Sequence, residues 1–256
     1  MKKIVTLLLL ALSCTPILAQ RGAQTTRGGR GSAGLMEKSS TFFLGLKGGA
    51  DFTSMTQPDE CDLYDGMGLG YNGGLAIKAR FGKASSSAPA GTGLFGVGLE
   101  VKYKQNVAKT IGIDEDGNTD ADLKLDYLEV PLLLQFHPFF HSDAMNNFYI
   151  EVGPDFATVL SRSPKQLTAN TSMKGDYSQV TYNIDTDGST LKGTDVRLAA
   201  GLGYDFAIKN SRGDTGSLFG INARYYLGNS KLAGNFNSKM STIEVSLSWL
   251  FSIGKL

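Results

Sequence analysis

From Leu128 to Phe136 the chain alternates, with Leu128, Val130, Leu132, Leu134 and Phe136 apolar and Glu129 and Gln135 among the residues between; His137 follows directly. A period of two is the signature of a strand with one apolar and one mixed face. After a polar connection the pattern restarts, with Phe148, Ile150 and Val152 against Tyr149, Glu151, Gly153 and Asp155. The two runs predict an antiparallel hairpin. Its second face carries carboxylates at mid-strand, which a soluble sandwich would have to turn to water. A membrane barrel inverts that plan, with the apolar face on lipid and the polar face on the lumen.

The same alternation recurs along the chain. A first strand over Thr41 to Thr53 sets Phe42, Leu44, Leu46, Ala50 and Phe52 against Lys47 and Asp51. A second, about Met67 to Phe81, sets Leu69, Tyr71, Leu75, Ile77 and Phe81 against Asn72, Lys78 and Arg80. The third, Leu94 to Ala108, opposes Phe95, Val97, Leu99, Val101 and Tyr103 to Glu100, Lys102 and Lys104. Beyond the hairpin, Thr194 to Ile208 puts Val196, Leu198, Leu202, Tyr204 and Phe206 outward and Asp195, Arg197 and Asp205 inward. A seventh strand opposes Phe219, Ile221, Ala223, Tyr225 and Leu227 to Asn222 and Arg224. The last sets Ile243, Val245, Leu247, Trp249, Phe251 and Ile253 against Glu244, Ser246 and Ser248. The fold class that follows is all-β: a single transmembrane antiparallel up-and-down β-barrel of about eight strands, the smallest usual number. Ser161 to Gly193 reads as a long polar external segment without a core-forming pattern. Within it Val180, Tyr182 and Ile184 alternate with Thr181 and Asn183, which points to flanking strands rising beyond the membrane as a ribbon.

Composition adds the ends of the chain. Lys2 and Lys3, the apolar run Ile4 to Leu12 and Ile17-Leu18-Ala19 form a secretory signal over residues 1–19. The run is too short for a membrane-spanning helix. Residues 20–40, rich in Gly, Arg, Ser and Thr, read as a flexible, disordered periplasmic tail, and 41–256 as the barrel. Cleavage after Ala19 leaves Cys61 as the lone thiol of the mature chain. Lipidation at Cys14 is the alternative, with Leu12 standing where a small residue is expected. A net charge of +1 and scattered basic residues give no footprint for nucleic acid.

The inward set is the candidate chemistry. It comprises Lys47, Lys78, Arg80, Lys102, Lys104, Arg197 and Arg224 with Asp51, Glu100, Glu129, Glu151, Asp155, Asp195, Asp205 and Glu244. An eight-stranded barrel has an interior just wide enough for side chains to fill, and unpaired charges there are costly. Nearly balanced signs therefore read as a salt-bridged plug; a narrow ion-selective passage is the alternative. Other motifs yield no catalytic, cofactor-binding or metal set. Gly66-Met-Gly68-Leu-Gly70 and Gly201-Leu-Gly203 lack the strand-turn-helix context of a phosphate loop and fit curved or bulged strands. His137 and His141 have no helix to align them as ligands. The acidic stretch Asp114 to Asp122 lacks the glycine and closing glutamate of a calcium loop and reads as a solvated loop.

The segments FFLGLKGGADF, LDYLEVPLLLQF followed by FYIEVGPDFATVLS, DVRLAAGLGYDF and INARYYLGNSKLAGNFNSKMSTIEVSLSWLF resemble the PorT-like, or porin-like, outer-membrane β-barrel family of Bacteroidetes. The resemblance runs from about Thr41 to the end and is most specific at Tyr127-Leu128-Glu129-Val130-Pro131-Leu132 and Gly153-Pro154. It implies an integral barrel in the Gram-negative outer membrane, inserted by the barrel-assembly machinery and surrounded by outer-membrane lipid and lipopolysaccharide. The family's namesake takes part in type IX protein secretion, and the family has no catalytic set to carry over. The expected function is structural or interactive, with external loops contacting a protein partner or lipopolysaccharide. A solute or ion channel and a secretion accessory are the alternatives.

Overall fold

The computed structural model describes residues 41–255 except for 57–63, 82–92, 112, 115, 117–121, 141, 143, 164, 174–175, 184–193, 210, 212–214 and 229–238. The signal segment, the tail, Cys61, His141 and most of the acidic stretch lie outside the described residues.

Eight strands close into one antiparallel barrel: β1 (Thr41–Met55), β2 (Tyr64–Arg80), β3 (Phe95–Thr110), β5 (Leu123–Phe136), β6 (Phe148–Ser163), β9 (Thr194–Lys209), β10 (Thr215–Leu227) and β11 (Met240–Lys255). Each pairs with the next along the chain, and β1 closes the ring against β11 from Thr41↔Lys255 to Met55↔Met240. The expected barrel and its strand number are therefore found. Alternation explains the wall: along β5 the inward residues Leu123, Leu125, Tyr127, Glu129, Pro131, Leu133 and Gln135 are buried, while Leu132, Leu134 and Phe136 are exposed. Exposed outward residues such as Leu46, Leu75, Leu202, Leu247 and Trp249 repeat this on other strands, forming the lipid-facing band.

Aromatic residues gather outward at one rim, where Phe95 meets Phe136, Phe206 meets Phe219 and Trp249 stacks on Phe251. That rim carries the connection 210–214 between β9 and β10, and short turns belong on the periplasmic side. The connections following β1, β3, β6 and β10 are then external.

The strand expected around Val180 and Tyr182 is found: β7 (Gln166–Met173) and β8 (Asp176–Asn183) pair as a hairpin, but in a sheet of their own and not as a ribbon continuing the flanking barrel strands. The two-residue strand β4 (Ile113–Asp114), from the preceding external connection, pairs with β7 to make a separate three-stranded sheet. The lumen is not uniformly polar. Phe43, Ala76, Leu218 and Leu250 cluster inside near the periplasmic end, and Met55, Ala108, Leu123, Leu125 and Met240 are buried towards the external end. Inward alternation fixes which face a residue occupies, not its polarity.

Candidate functional site

The middle of the lumen is an ion network assembled from strands whose charged residues share the inward parity. Eleven of the expected residues join it: Lys47, Asp51, Glu100, Lys102, Lys104, Glu129, Glu151, Asp155, Arg197, Arg224 and Glu244. They come from β1, β3, β5, β6, β9, β10 and β11, and all are buried. The eighth strand, β2, supplies Asn72, whose amide donates to Asp51 at 2.8 Å. Its inward glycines supply room instead. A Cβ on Gly74 would lie 2.7 Å from the Lys102 Cβ and 2.1 Å from the Val101 carbonyl oxygen, so only glycine lets β2 and β3 approach there. Gly66 to Gly70 lie in β2 around two register shifts against β3, the bulged strand expected for them.

Arg224 is the hub. Its Nη1 and Nη2 donate to the two Glu100 carboxylate oxygens at 2.9 Å each, while Nε and Nη2 donate to Glu151 Oε1 at 2.9 and 2.6 Å. The Tyr226 hydroxyl accepts from Arg224 Nη1 at 2.8 Å and from Lys102 Nζ at 2.6 Å. Glu244 binds Lys102 and lies 3.4 Å from Lys47 Nζ, 3.5 Å from Lys104 Nζ and 3.7 Å from Arg224 Nη1. Towards the external side Arg197 joins Glu129 to Asp155, and Lys104 reaches Asp51 at 3.0 Å with its ammonium 3.7 Å from the centre of the Tyr226 ring. Such bidentate, charge-assisted contacts are the geometry in which buried ions are compensated.

The remaining four expected residues sit apart. Lys78 pairs with Asp205 near the periplasmic mouth, 2.7 Å from Oδ2 and 2.9 Å from Oδ1. Arg80 closes β2 at the same mouth without joining the network. Asp195 is half-buried at the external end of β9, opposite Ala157.

Polar partners that the charge pattern passes over complete the site. Gln135 donates to Glu151 at 3.0 Å, Asn222 donates to the same carboxylate at 3.3 Å, and the Ser246 hydroxyl shares its one proton between Asn222 Oδ1 at 2.6 Å and Glu244 Oε1 at 2.9 Å. Tyr127, Tyr149 and Tyr226 stand under Arg197, Lys78 and the central cations. Each shares the inward parity of its strand, and that is the signal by which it could have been found. Two lumen voids, about 20 and 10 Å³, each have room for about one water.

The lumen's chemistry is thus electrostatic, its carboxylates held by cations and by hydroxyl and amide donors. Among known sequences, a family described as "Outer membrane protein beta-barrel domain" matches residues 22–233. No curated protein matches the chain. Solved structures similar to it include Neisserial surface protein A, at 12% identity over 83% of this chain and 97% of that one, with a TM-score of 0.40. OprG from Pseudomonas aeruginosa is similar at 16% identity over 85% and 98%, TM-score 0.40. Ail of Yersinia pestis, solved in complex with the heparin analogue sucrose octasulfate, is similar at 16% identity over 84% and 100%, TM-score 0.35.

Proposed function

Because the chain belongs to the outer membrane protein beta-barrel domain family, and is an integral outer-membrane barrel, we propose that it is a non-conducting barrel that acts through its external connections. The lumen braces the wall, and the external side meets a protein partner or lipopolysaccharide. One observation carries this reading: the buried ion network ties seven strands together across the centre of the lumen and is flanked by buried apolar side chains towards both ends. An ion entering would have to displace a paired carboxylate or guanidinium and leave its partner buried and uncompensated.

The export signal over residues 1–19, the periplasmic tail over 20–40 and insertion by the barrel-assembly machinery belong to the same reading. Single-channel recording of the refolded mature chain in planar bilayers tests it. The expected trace is flat; a steady unitary current would sink the plug and make a narrow passage for small solutes or ions the function. The resemblance to PorT-like barrels adds a separate expectation, that deleting the gene impairs type IX secretion. Unchanged cargo in the culture medium of the deletion strain would remove it. Catalysis has no part in this reading, so the lipid profile of that strain should match its parent.

A further inference from the structure

Arg80 is the last residue of β2, faces the lumen and is only 3% exposed. Its Nε donates to the Gly93 carbonyl at 3.0 Å and Nη1 to Asn147 Oδ1 at 3.4 Å, but Nη2 is buried with no hydrogen-bond partner among the described residues. No carboxylate among the described residues forms an ion pair with it. Asp205 has both oxygens engaged by Lys78. Among the described residues the mouth therefore holds two cations, Lys78 and Arg80, against one carboxylate, Asp205, which bonds Lys78 and also attracts Arg80; this leaves one positive charge.

A second group points the same way. His137 is 2% exposed, its ring lies 5.8 Å from that of Tyr149, and neither ring nitrogen completes a hydrogen bond within 3.5 Å, the Phe148 and Asn146 backbone being its nearest polar company. Burial, with Arg80 and Lys78 nearby, pushes its pKa down to about 3, so the neutral ring keeps one N–H to donate. Between these groups lies the void of about 10 Å³, bounded by Phe43, Lys78, Arg80, His137, Asp205 and Leu218.

We propose that this void is a binding site for a small monovalent inorganic anion of chloride size, held by the Arg80 guanidinium with Lys78 and the His137 ring beside it. An unpaired buried guanidinium is strongly unfavourable, and a halide removes that charge without demanding hydrogen-bond donors that Phe43 and Leu218 could not provide. The smallness of the void, about 10 Å³, favours a single-atom anion over phosphate, sulfate and organic carboxylates. Asp205 repels an anion, and its clamp to Lys78 turns that charge inward to a neutral pair. The site is independent of whether the barrel conducts or of what its external face meets.

Two measurements on the refolded mature chain test it. Crystals grown in sodium bromide should show an anomalous peak beside Arg80 Nη2; an ordered water there, or an adventitious ion only, on the exposed surface, overturns the proposal. In micelles at fixed ionic strength, the unfolding temperature should be higher in chloride than in gluconate, a bulky anion that the void excludes. Arg80→Gln should abolish that difference. Equal midpoints of the unmodified chain in the two salts overturn the site, and this comparison with the bromide map decides the matter even if Arg80→Gln does not refold.

Discussion

The Arg224 guanidinium spends its donors on two carboxylates and a phenol from three different strands, so its loss would strand Glu100 and Glu151 without their main counter-charge. Arg224→Met should lower the unfolding free energy by about 3–5 kcal/mol. Urea titration in lipid vesicles measures it, with the exposed Lys109→Met as a control expected within about 0.5 kcal/mol. His137 gives the pH dependence. Its folded pKa of about 3 is depressed from 6.5, so the neutral form is favoured in the barrel and the unfolded chain takes up the proton first. The associated stability is present above pH 6.5 and is lost as pH falls towards 3. Between pH 8 and pH 5 the loss should be about 2 kcal/mol, and His137→Gln should flatten the slope. Most charged lumen residues were legible one by one, since a carboxylate or ammonium inside an apolar alternation has only one face to occupy. Phe43, Leu133, Leu218 and Leu250 were not, because an apolar side chain is compatible with lipid and lumen alike.

At the scale of the element, the apolar face of each barrel strand announced it, and the ends were less sharp. The first strand of the hairpin, β5, begins at Leu123 rather than near Leu128, because its external end carries Lys124 and Asp126 outward, above the apolar band. The external sheet was the least legible part. In β8 the alternation of Val180 and Tyr182 with Thr181 and Asn183 marks a strand, but the mostly polar β7 gives no matching period to name its partner, and β4 is too short to have one. β6 pairs directly with β9 as far as Thr158↔Thr194 without help from that sheet. Replacing residues 166–183 with a short Gly-Ser linker should leave the barrel able to fold, read as unchanged heat-modifiable migration on a gel. Failure to fold would show that the sheet is needed for closure.

For the whole molecule, the membrane is the other half of the core. Leu247, near the centre of β11 and 50% exposed, faces it directly. Leu247→Arg should cost about 2–4 kcal/mol of folding free energy in bilayers, the penalty for a cation near the midplane. Ser241→Arg, at the external end of the same strand, should cost about 1 kcal/mol or less, and the difference is read by unfolding in vesicles. Closure carries a kinetic consequence. The ring is sealed by β1 against β11, the first and last strands of the barrel, along a ladder from Thr41↔Lys255 to Met55↔Met240. Contacts so distant along the chain form slowly, since the intervening loop entropy is lost before they repay it. The seam cannot exist until the final strand has left the ribosome and crossed the inner membrane. Until then β1 is an unpatched edge able to recruit a strand from any neighbour. The ring therefore makes assembly an all-or-none event at the end of synthesis, and a nascent chain truncated before Met240 should depend throughout its life on whatever shields that edge.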